Sequence, residues 1–559
     1  MSETLKRLPV GVVSFKELRE QDCLYVDKTE IIYRLTQQHP FALLMRPRRF
    51  GKSLLLSTLH SLFSAGLRDF AGLKIERLWQ EETCKVLSLD LSGINCSTPS
   101  GLRQSLCVQI IRSARLAGLD TSSFPPDDPT LCLDLFALNA LPQKLAILVD
   151  EYDAPARSPL SEPELQKKLI EELKNFFSAV KRLSVQCRMI LFTGVTRTTL
   201  TDEYSCLNFL TDISLFPEYS TLLGYTEEEL TEAFAPYIKA LEDFHHLTPA
   251  VIREKIRYYY DGYSFDGFAR SHVYNSWSIL NLLSNPFRGF YNYWYVSGQL
   301  SQSLTGYFMR LSHTGAGPQF SQMLAFLRRS CAISMEDLSY PPHLNDTAAQ
   351  VLLFRLGYLT IKEGIYLRRE LNQDTLTLTL PNLEIESSLA RLFSELSAKE
   401  NASGISLMVK ELPQYLEDYA HPEKLAHYLE LLYNTFSYDT KIYASEALLR
   451  DTMFLFCKMN LLHVSRETPS ARGRSDLEVE TDTARLIFEF KVAHTSSDAD
   501  KKLAEAAEQI KERAYGRVLP EKTLRYYAVI LDARAKQVAR ISVFNEDELP
   551  LGYYSAQLT

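Results

Sequence analysis

Three residues towards the carboxyl end have the types and spacing that metal-assisted hydrolysis requires: Asp476, Glu489 and, two positions on, Lys491. In a strand, alternate side chains share a face. Leu486, Phe488, Phe490 and Val492 therefore point one way, and Ile487, Glu489 and Lys491 the other. Asp476 opens a preceding strand, Asp476–Glu480, and the turn Thr481-Asp482-Thr483 returns the chain as an antiparallel partner that can bring Asp476 near Glu489. Two close carboxylates repel one another unless a cation lies between them, and hard oxygen ligands suit Mg²⁺ or Mn²⁺. A metal held there can bind a phosphodiester oxygen and activate water, with Lys491 placing that water or offsetting transition-state charge. A solvated hairpin with Glu489 and Lys491 as a surface ion pair is the competing reading.

Further groups fit the first reading. The amphipathic helix that starts at Ser445 carries Glu446, and a helix over Lys501–Tyr515 carries Gln509 and Tyr515. Arg466, Arg472, Arg474, Lys511, Arg513 and Arg517 cluster near this stretch in sequence and can hold a phosphate backbone.

A second constellation lies far upstream. The run FALLMRPRRFGKSLLLSTLHSLF reads strand, loop, helix, with Gly51-Lys52-Ser53 at the junction. Helix amides at such a junction point towards a bound phosphate, Lys52 can reach its outer oxygens, and the Ser53 hydroxyl can ligate Mg²⁺. The usual phosphate loop begins with glycine where this chain has Arg46, followed by Pro47, which has no amide to donate. The strand Lys144–Val149 runs into Asp150-Glu151, where Asp150 can hold Mg²⁺ through water and Glu151 can activate a hydrolytic water. Met189–Thr193 is a further strand, whose end places Thr193 near a γ-phosphate; Arg197 is either in the site or an ordinary surface arginine. The expected nucleotide-binding set is Arg46, Arg49, Gly51, Lys52, Ser53, Leu54, Asp150, Thr193 and Arg197, with ATP and Mg²⁺ as cofactors.

The elements that must position these groups follow from periodicity. Strands at Phe41–Met45, Val86–Leu91, Leu145–Val149 and Met189–Thr193 alternate with helical patterns, which predicts a parallel α/β sheet over residues 1–225. From Thr226, a capping threonine followed by three glutamates begins a helical, tyrosine-rich region, 226–340, that reads as a lid. Tyr258–Tyr260 and Trp294 in it read as packing, and His245-His246 as a solvated loop. Residues 341–403 read helix, hairpin, helix, as a winged-helix module would. The last domain, 404–559, is helical and then β.

Composition narrows the classes. A chain of 559 residues with 46% hydrophobic content is a folded, multidomain protein. Apolar runs are strand-sized, so no membrane span is expected, and the charge at Lys16 argues against a secretory signal. Nine scattered cysteines form no Cys-x-x-Cys pair, which predicts reduced thiols in a cytoplasmic protein. With a net charge of −8, any nucleic acid must be met by local basic patches.

The motifs YVDKT (Tyr25–Thr29), RPRRFGKSLLLS (Arg46–Ser57), ILVDEYDAP (Ile147–Pro155), FTGVTR (Phe192–Arg197), DGYSF (Asp261–Phe265), VYNSWSIL (Val273–Leu280), GYLTI, LPNLEIE, GRSDLEVE, FEFKV and QIKERAY together cover nearly the whole chain. They resemble the AAA-ATPase-like proteins that carry a carboxyl-terminal PD-(D/E)xK nuclease domain. In that family Arg46 is the usual residue, whereas Ser276 stands where proline is common. The resemblance implies a P-loop NTPase fold with helical lid, winged-helix-like module and restriction-endonuclease-like α/β domain. It also implies Asp476 and Glu489 as metal ligands, Lys491 as catalytic lysine, and Glu446 and Gln509 in support.

The resulting expectation is an ATP-dependent, Mg²⁺-requiring nuclease acting on nucleic acid, DNA before RNA, with no membrane partner and homo-oligomer assembly left open. The alternative is a nucleotide-controlled DNA- or protein-binding module whose nuclease fold is catalytically silent.

Overall fold

The computed structural model describes residues 5–157, 162–195, 205–296, 330–335, 338, 349–368, 373–397, 411–434, 445–470, 473–481, 483–513, 522–547 and 549–556. They fall into two compact units, one holding residues up to 296 together with 330–382, the other those from Leu383 on.

In the first unit, β1 (Phe41–Met45), β2 (Lys85–Asp90), β3 (Leu145–Asp150), β4 (Cys187–Gly194) and β5 (Thr211–Asp212) form one sheet in the order β2-β3-β4-β1-β5, with every pairing parallel. The continuous apolar run of β3 is buried at every position because helices cover both faces. On one face, Leu87, Ile147 and Phe192 pack with Leu106 and Ile110 of the helix Pro99–Leu116 and with Phe176 and Phe177 of Pro163–Leu183. Leu44 pairs with Thr193 and Met45 with Gly194, so β1 and β4 end together. Because β4 lies between β1 and β3, Thr193 stands between the phosphate loop and Asp150.

The predicted lid is helical: Glu227–Ala233, Ala235–His245, Pro249–Tyr260, Ser276–Ser284 and Tyr293–Val296, packed around Phe234, Leu241, Ile256 and Ile279. Thr226 caps the first of these, its hydroxyl accepting from the Glu229 amide while Glu229 accepts from the Thr226 amide. Tyr260 and Trp294 are buried as expected of packing residues, whereas Tyr258 is exposed; His245, expected in a solvated loop, instead ends a helix, half-buried, with Nε2 3.0 Å from the Pro286 carbonyl.

β6 (Cys331–Ser334), β7 (Thr360–Arg368) and β8 (Gln373–Thr379) make a small antiparallel sheet in the order β6-β8-β7, preceded at β7 by the helix Ala349–Leu356. The helix and hairpin expected over 341–403 are thus present. A third strand, β6, joins from upstream, and the helix after the hairpin, Leu383–Ser397, belongs to the second unit.

The second unit is built on β9 (His463–Ser470), β10 (Gly473–Glu480), β11 (Ala484–Ala493), β12 (Thr523–Asp532), β13 (Gln537–Asn545) and β14 (Pro550–Ser555). They form a six-stranded sheet in sequence order, antiparallel except for β11 with β12. The parallel pair is joined by the crossover helix Ser496–Arg513. Alternation sorts β11 as its sequence predicts: Leu486, Phe488 and Phe490 face the core that contains the helix Glu446–Met459, while Ile487 and Ala493 pack with Ala499, Ala506 and Ile510 of the crossover helix. Among the described residues, no helix is long and apolar enough to cross a membrane.

Candidate active sites

The phosphate loop follows β1. Gly51 precedes the helix Lys52–Ala65 with φ of 94°, a conformation natural to glycine, and Arg49 is also left-handed at 69°. The first intrahelical bond runs from the Leu55 amide to the Gly51 carbonyl at 3.0 Å, so the Ser53 and Leu54 amides belong to the turn that a helix leaves without internal partners. Ser53 donates its hydroxyl to Asp150 Oδ2 at 2.5 Å, and Thr193 donates to Asp150 Oδ1 at 2.5 Å. The same Oδ1 accepts from the Glu151 amide at 3.0 Å, and Glu151 takes a left-handed φ of 48° at the end of the strand. Lys52 is buried, and its ammonium donates to the loop's own carbonyls, Arg46 and Pro47, at 3.0 Å each.

Beside this loop lies a cavity of about 660 Å³. Arg49, Gly51, Lys52, Ser53, Leu54 and Glu151 line it, together with the apolar side chains of Val12, Leu24, Val26, Leu223, Trp277 and Leu280. Arg49 lays its guanidinium 4.2 Å over the Trp277 ring. Arg46 goes elsewhere. The residue is 1% exposed, and its guanidinium donates to the carbonyls of Met45, Ser214 and Tyr219 at 2.7–3.0 Å and lies 4.2 Å over the Phe265 ring. It is not among the residues lining the cavity, and burial pulls its pKa down to about 9 against the attraction of Asp212. Arg197 lies outside the described residues.

In the second unit, β10 and β11 pair up to Leu477 opposite Phe488, so Asp476 and Glu489 are the next residues along on the face away from the Phe488 core. The Phe490 amide donates to Asp476 Oδ2 at 2.9 Å, tying that carboxylate to the neighbouring strand. Glu489 is 1% exposed, and its Oε1 accepts from Lys491 Nζ at 2.9 Å. Glu446, in the first turn of its helix, brings Oε2 to 3.9 Å from the same ammonium. Burial raises the Asp476 carboxyl above its ordinary pKa, partly offset by the Phe490 amide and by Lys491 and Arg450. Burial alone would pull Lys491 down, but the hydrogen bond and charge of Glu489, with Glu446 and Asp476, hold it above its ordinary value.

Sequence reasoning missed Arg450, whose Nη1 stands 3.9 Å from Asp476 Oδ1. One signal was available: Arg450 follows Glu446 by four residues and so shares its helix face. The strand pairing that brings Asp476 to that face is what makes the signal meaningful. Gln509 is half-buried on the crossover helix, which covers the face bearing Glu489 and Lys491. Arg466, expected at a phosphate backbone, instead donates to Asp451 at 2.6 Å and lies 3.7 Å over the Phe454 ring. Arg474 and Lys511 are exposed; Arg472, Tyr515, Arg517 and the Arg513 side chain lie outside the described residues.

Both sites offer the hard oxygens that Mg²⁺ or Mn²⁺ prefers. At the first, the Ser53 hydroxyl and Asp150 carboxylate adjoin beside Lys52. At the second, three carboxylates (Glu446, Asp476, Glu489) stand near two cations (Arg450, Lys491), and Arg450 also faces Asp451 at 3.5 Å. Among the described residues, no group of three or more His, Cys, Asp or Glu is arranged as a ligand cluster.

Comparison with known proteins agrees with this division. A protein of Azotobacter chroococcum mcd 1, described as uncharacterized and in the vnfD 5' region, is 28% identical over 516 residues, or 91% of this chain and 93% of that one. Solved structures of Drosophila ORC with Cdc6 match at low similarity. The one bound to GC-rich DNA has 13% identity over 73% of this chain and 53% of that chain, and the one bound to poly(dA/dT) has 12% identity over 80% and 70%. The TM-score is 0.23 for both, and the likeness carries no argument. This chain spans about half the length of the first of them. Residues 9–203 match the family model described as a predicted AAA-ATPase, and residues 444–542 match that of the PD-(D/E)XK nuclease superfamily. The chain thus joins an AAA-ATPase-like domain to a carboxyl-terminal domain of the PD-(D/E)XK nuclease superfamily.

Proposed function

We propose that this protein is an enzyme in which ATP, bound or hydrolysed in the first unit, controls Mg²⁺-dependent cleavage of DNA phosphodiester bonds in the second. The observation that carries this reading is the convergence of Asp476, Glu489 and Lys491 on one face of two paired strands. In domain terms we assign 1–225 to ATP binding, 226–340 to the lid, 341–403 to a winged-helix-like connector and 404–559 to cleavage.

In the first unit, Ser53 and Asp150 would hold Mg²⁺, Lys52 would turn from its loop carbonyls to the outer phosphate oxygens, and Glu151 would orient the hydrolytic water. The apolar side chains of the cavity would receive the base. In the second, Asp476 and Glu489 would hold Mg²⁺ or Mn²⁺, which supplies Lewis-acid polarisation of a phosphodiester oxygen and a water of lowered pKa. Lys491 has three N–H donors and gives one to Glu489, so the others can stabilise charge that develops on the phosphate. The Glu446 carboxylate, 3.9 Å away, adds its charge to hold that ammonium, with Gln509 in support.

The test is cleavage of linear, plasmid and single-stranded DNA by the full chain, with and without ATP and Mn²⁺, beside Lys491→Ala and Lys52→Ala. Lys491→Ala is expected to lower cleavage about 10²–10³-fold, the usual loss for a group that stabilises transition-state charge. No cleavage above that variant on any substrate would remove the nuclease reading. Equal DNA binding with and without divalent ion would then favour a nucleotide-controlled binding module.

A further inference from the structure

We propose that Lys28, in the motif Tyr25–Thr29, is a positioning residue of the cavity, clamping the wall segment Thr221–Thr226 against the phosphate loop. Its Nζ donates to the Thr221 carbonyl at 2.7 Å and to Glu229 Oε2 at 2.6 Å. That same Oε2 accepts from the Thr226 amide at 2.9 Å. One ammonium therefore ties both ends of the segment, directly at the first and through Glu229 at the second. Between those ends, Leu222, Leu223, Gly224 and Tyr225 all line the cavity. A Cβ built on Gly51 would lie 4.0 Å from Leu223 Cδ2, so the wall meets the phosphate loop itself.

The base of the clamp is rigid. Asp27 Oδ1 accepts from the Thr29 amide and hydroxyl, its Oδ2 accepts from the Lys74 amide, and the Thr29 hydroxyl accepts from the Ile75 amide. Asp27 and Thr29 thus fix the backbone on either side of Lys28. Lys28 is 8% exposed, and a buried ammonium held by a carboxylate and a carbonyl is costly to remove, because Glu229 then keeps its charge without its cation. The clamp acts on the apolar lining to which Leu223 belongs, at the place where that lining meets Gly51. It should therefore govern recognition of the base more than of the phosphates, an effect that rests on the nucleotide reading above.

The experiment uses the full chain with Lys28→Met, Lys28→Arg and Glu229→Gln. Hydrogen exchange without ligand is expected to quicken at least tenfold in peptides covering 222–226 in Lys28→Met, with those covering 145–150 unchanged and Lys28→Arg intermediate. Calorimetry is expected to show ATP binding weakened about tenfold and inorganic tripolyphosphate binding held within twofold. Unchanged exchange over 222–226 would overturn the clamp, as would equal losses for ATP and tripolyphosphate. If Lys28→Met unfolds the unit, Glu229→Gln, which keeps an acceptor for the Thr226 amide, gives the same readouts. Quickened exchange in a protein whose wild type binds no ATP supports the clamp and removes only the nucleotide reading.

Discussion

The Ser53 hydroxyl donates to Asp150 Oδ2 across 2.5 Å, joining the start of one helix to the end of a strand 97 residues later. Hydroxyl and carboxylate are the two oxygens that a Mg²⁺-nucleotide would recruit, already side by side. Asp150→Asn removes the charge and keeps one acceptor oxygen, for the Thr193 hydroxyl and the Glu151 amide, while its NH2 can donate to the Ser53 hydroxyl. Its expected effect is a loss of Mg²⁺-dependent ATP affinity of about 10–100-fold, with affinity in chelator nearly unchanged, since each tenfold is about 1.4 kcal/mol. Calorimetric titration with and without Mg²⁺ reads both.

Arg46 is expected to act on stability more than on nucleotide affinity. Arg46→Ala strands the Ser214 and Tyr219 carbonyls in the interior and opens space over the Phe265 ring. The loss should be about 3 kcal/mol or more, from two buried acceptors at about 1–3 kcal/mol each plus lost packing. Lysine cannot reproduce a fork that serves several carbonyls while stacked on a ring, so Arg46→Lys should restore little. Denaturant titration of the amino-terminal unit measures this, and a loss of ATP affinity as large as that of Lys52→Ala would contradict it.

What the sequence revealed and what it hid divide by the range of the interaction. The strand-loop-helix junction, the acidic strand end and the alternation of β11 are local patterns, so the places of Lys52, Ser53, Asp150, Glu489 and Lys491 on their elements could be read directly. Arg46 could not: its carbonyl partner Ser214 is 168 residues away, and only the folded chain turns a loop arginine into a buried strut. Arg466 likewise looks like a phosphate contact until Asp451 and the Phe454 ring are brought to it. Arg450 becomes part of the site only once β10 carries Asp476 to it.

Gly357 tests how the phosphate loop depends on a residue far from it in sequence. It has φ of 87°, and a Cβ there would stand 2.6 Å from Pro47 Cβ. Pro47 offers one of the two carbonyls that hold Lys52. Gly357→Ala should therefore cost about 2–5 kcal/mol, combining about 1–2 for the left-handed conformation with about 1–3 for overpacking. It should also weaken ATP binding by shifting the loop. Unaltered ATP affinity in a folded Gly357→Ala protein would show that Pro47 can yield without moving Lys52.

In the second unit, Glu480 supplies a pH-dependent tie at the end of β10. Its carboxylate is 3.4 Å from His463 Nδ1 on β9 and 3.3 Å from Lys522 Nζ before β12. The His463 hydrogen bond, ahead of the charges of His463 and Lys522, overcomes burial and holds its pKa down at about 2. The folded value thus lies below that of the unfolded chain, 4.5. The stabilisation is complete above the unfolded value and drains away as pH falls through the window down to about 2. Discounted for solvent screening of a partly exposed group, it should amount to about 1–2 kcal/mol. Glu480→Gln should accordingly destabilise the unit near pH 6 and cost nothing near pH 2. Denaturant midpoints of the two proteins across that range should converge as acid is added, and a constant gap would assign the effect to packing instead of charge.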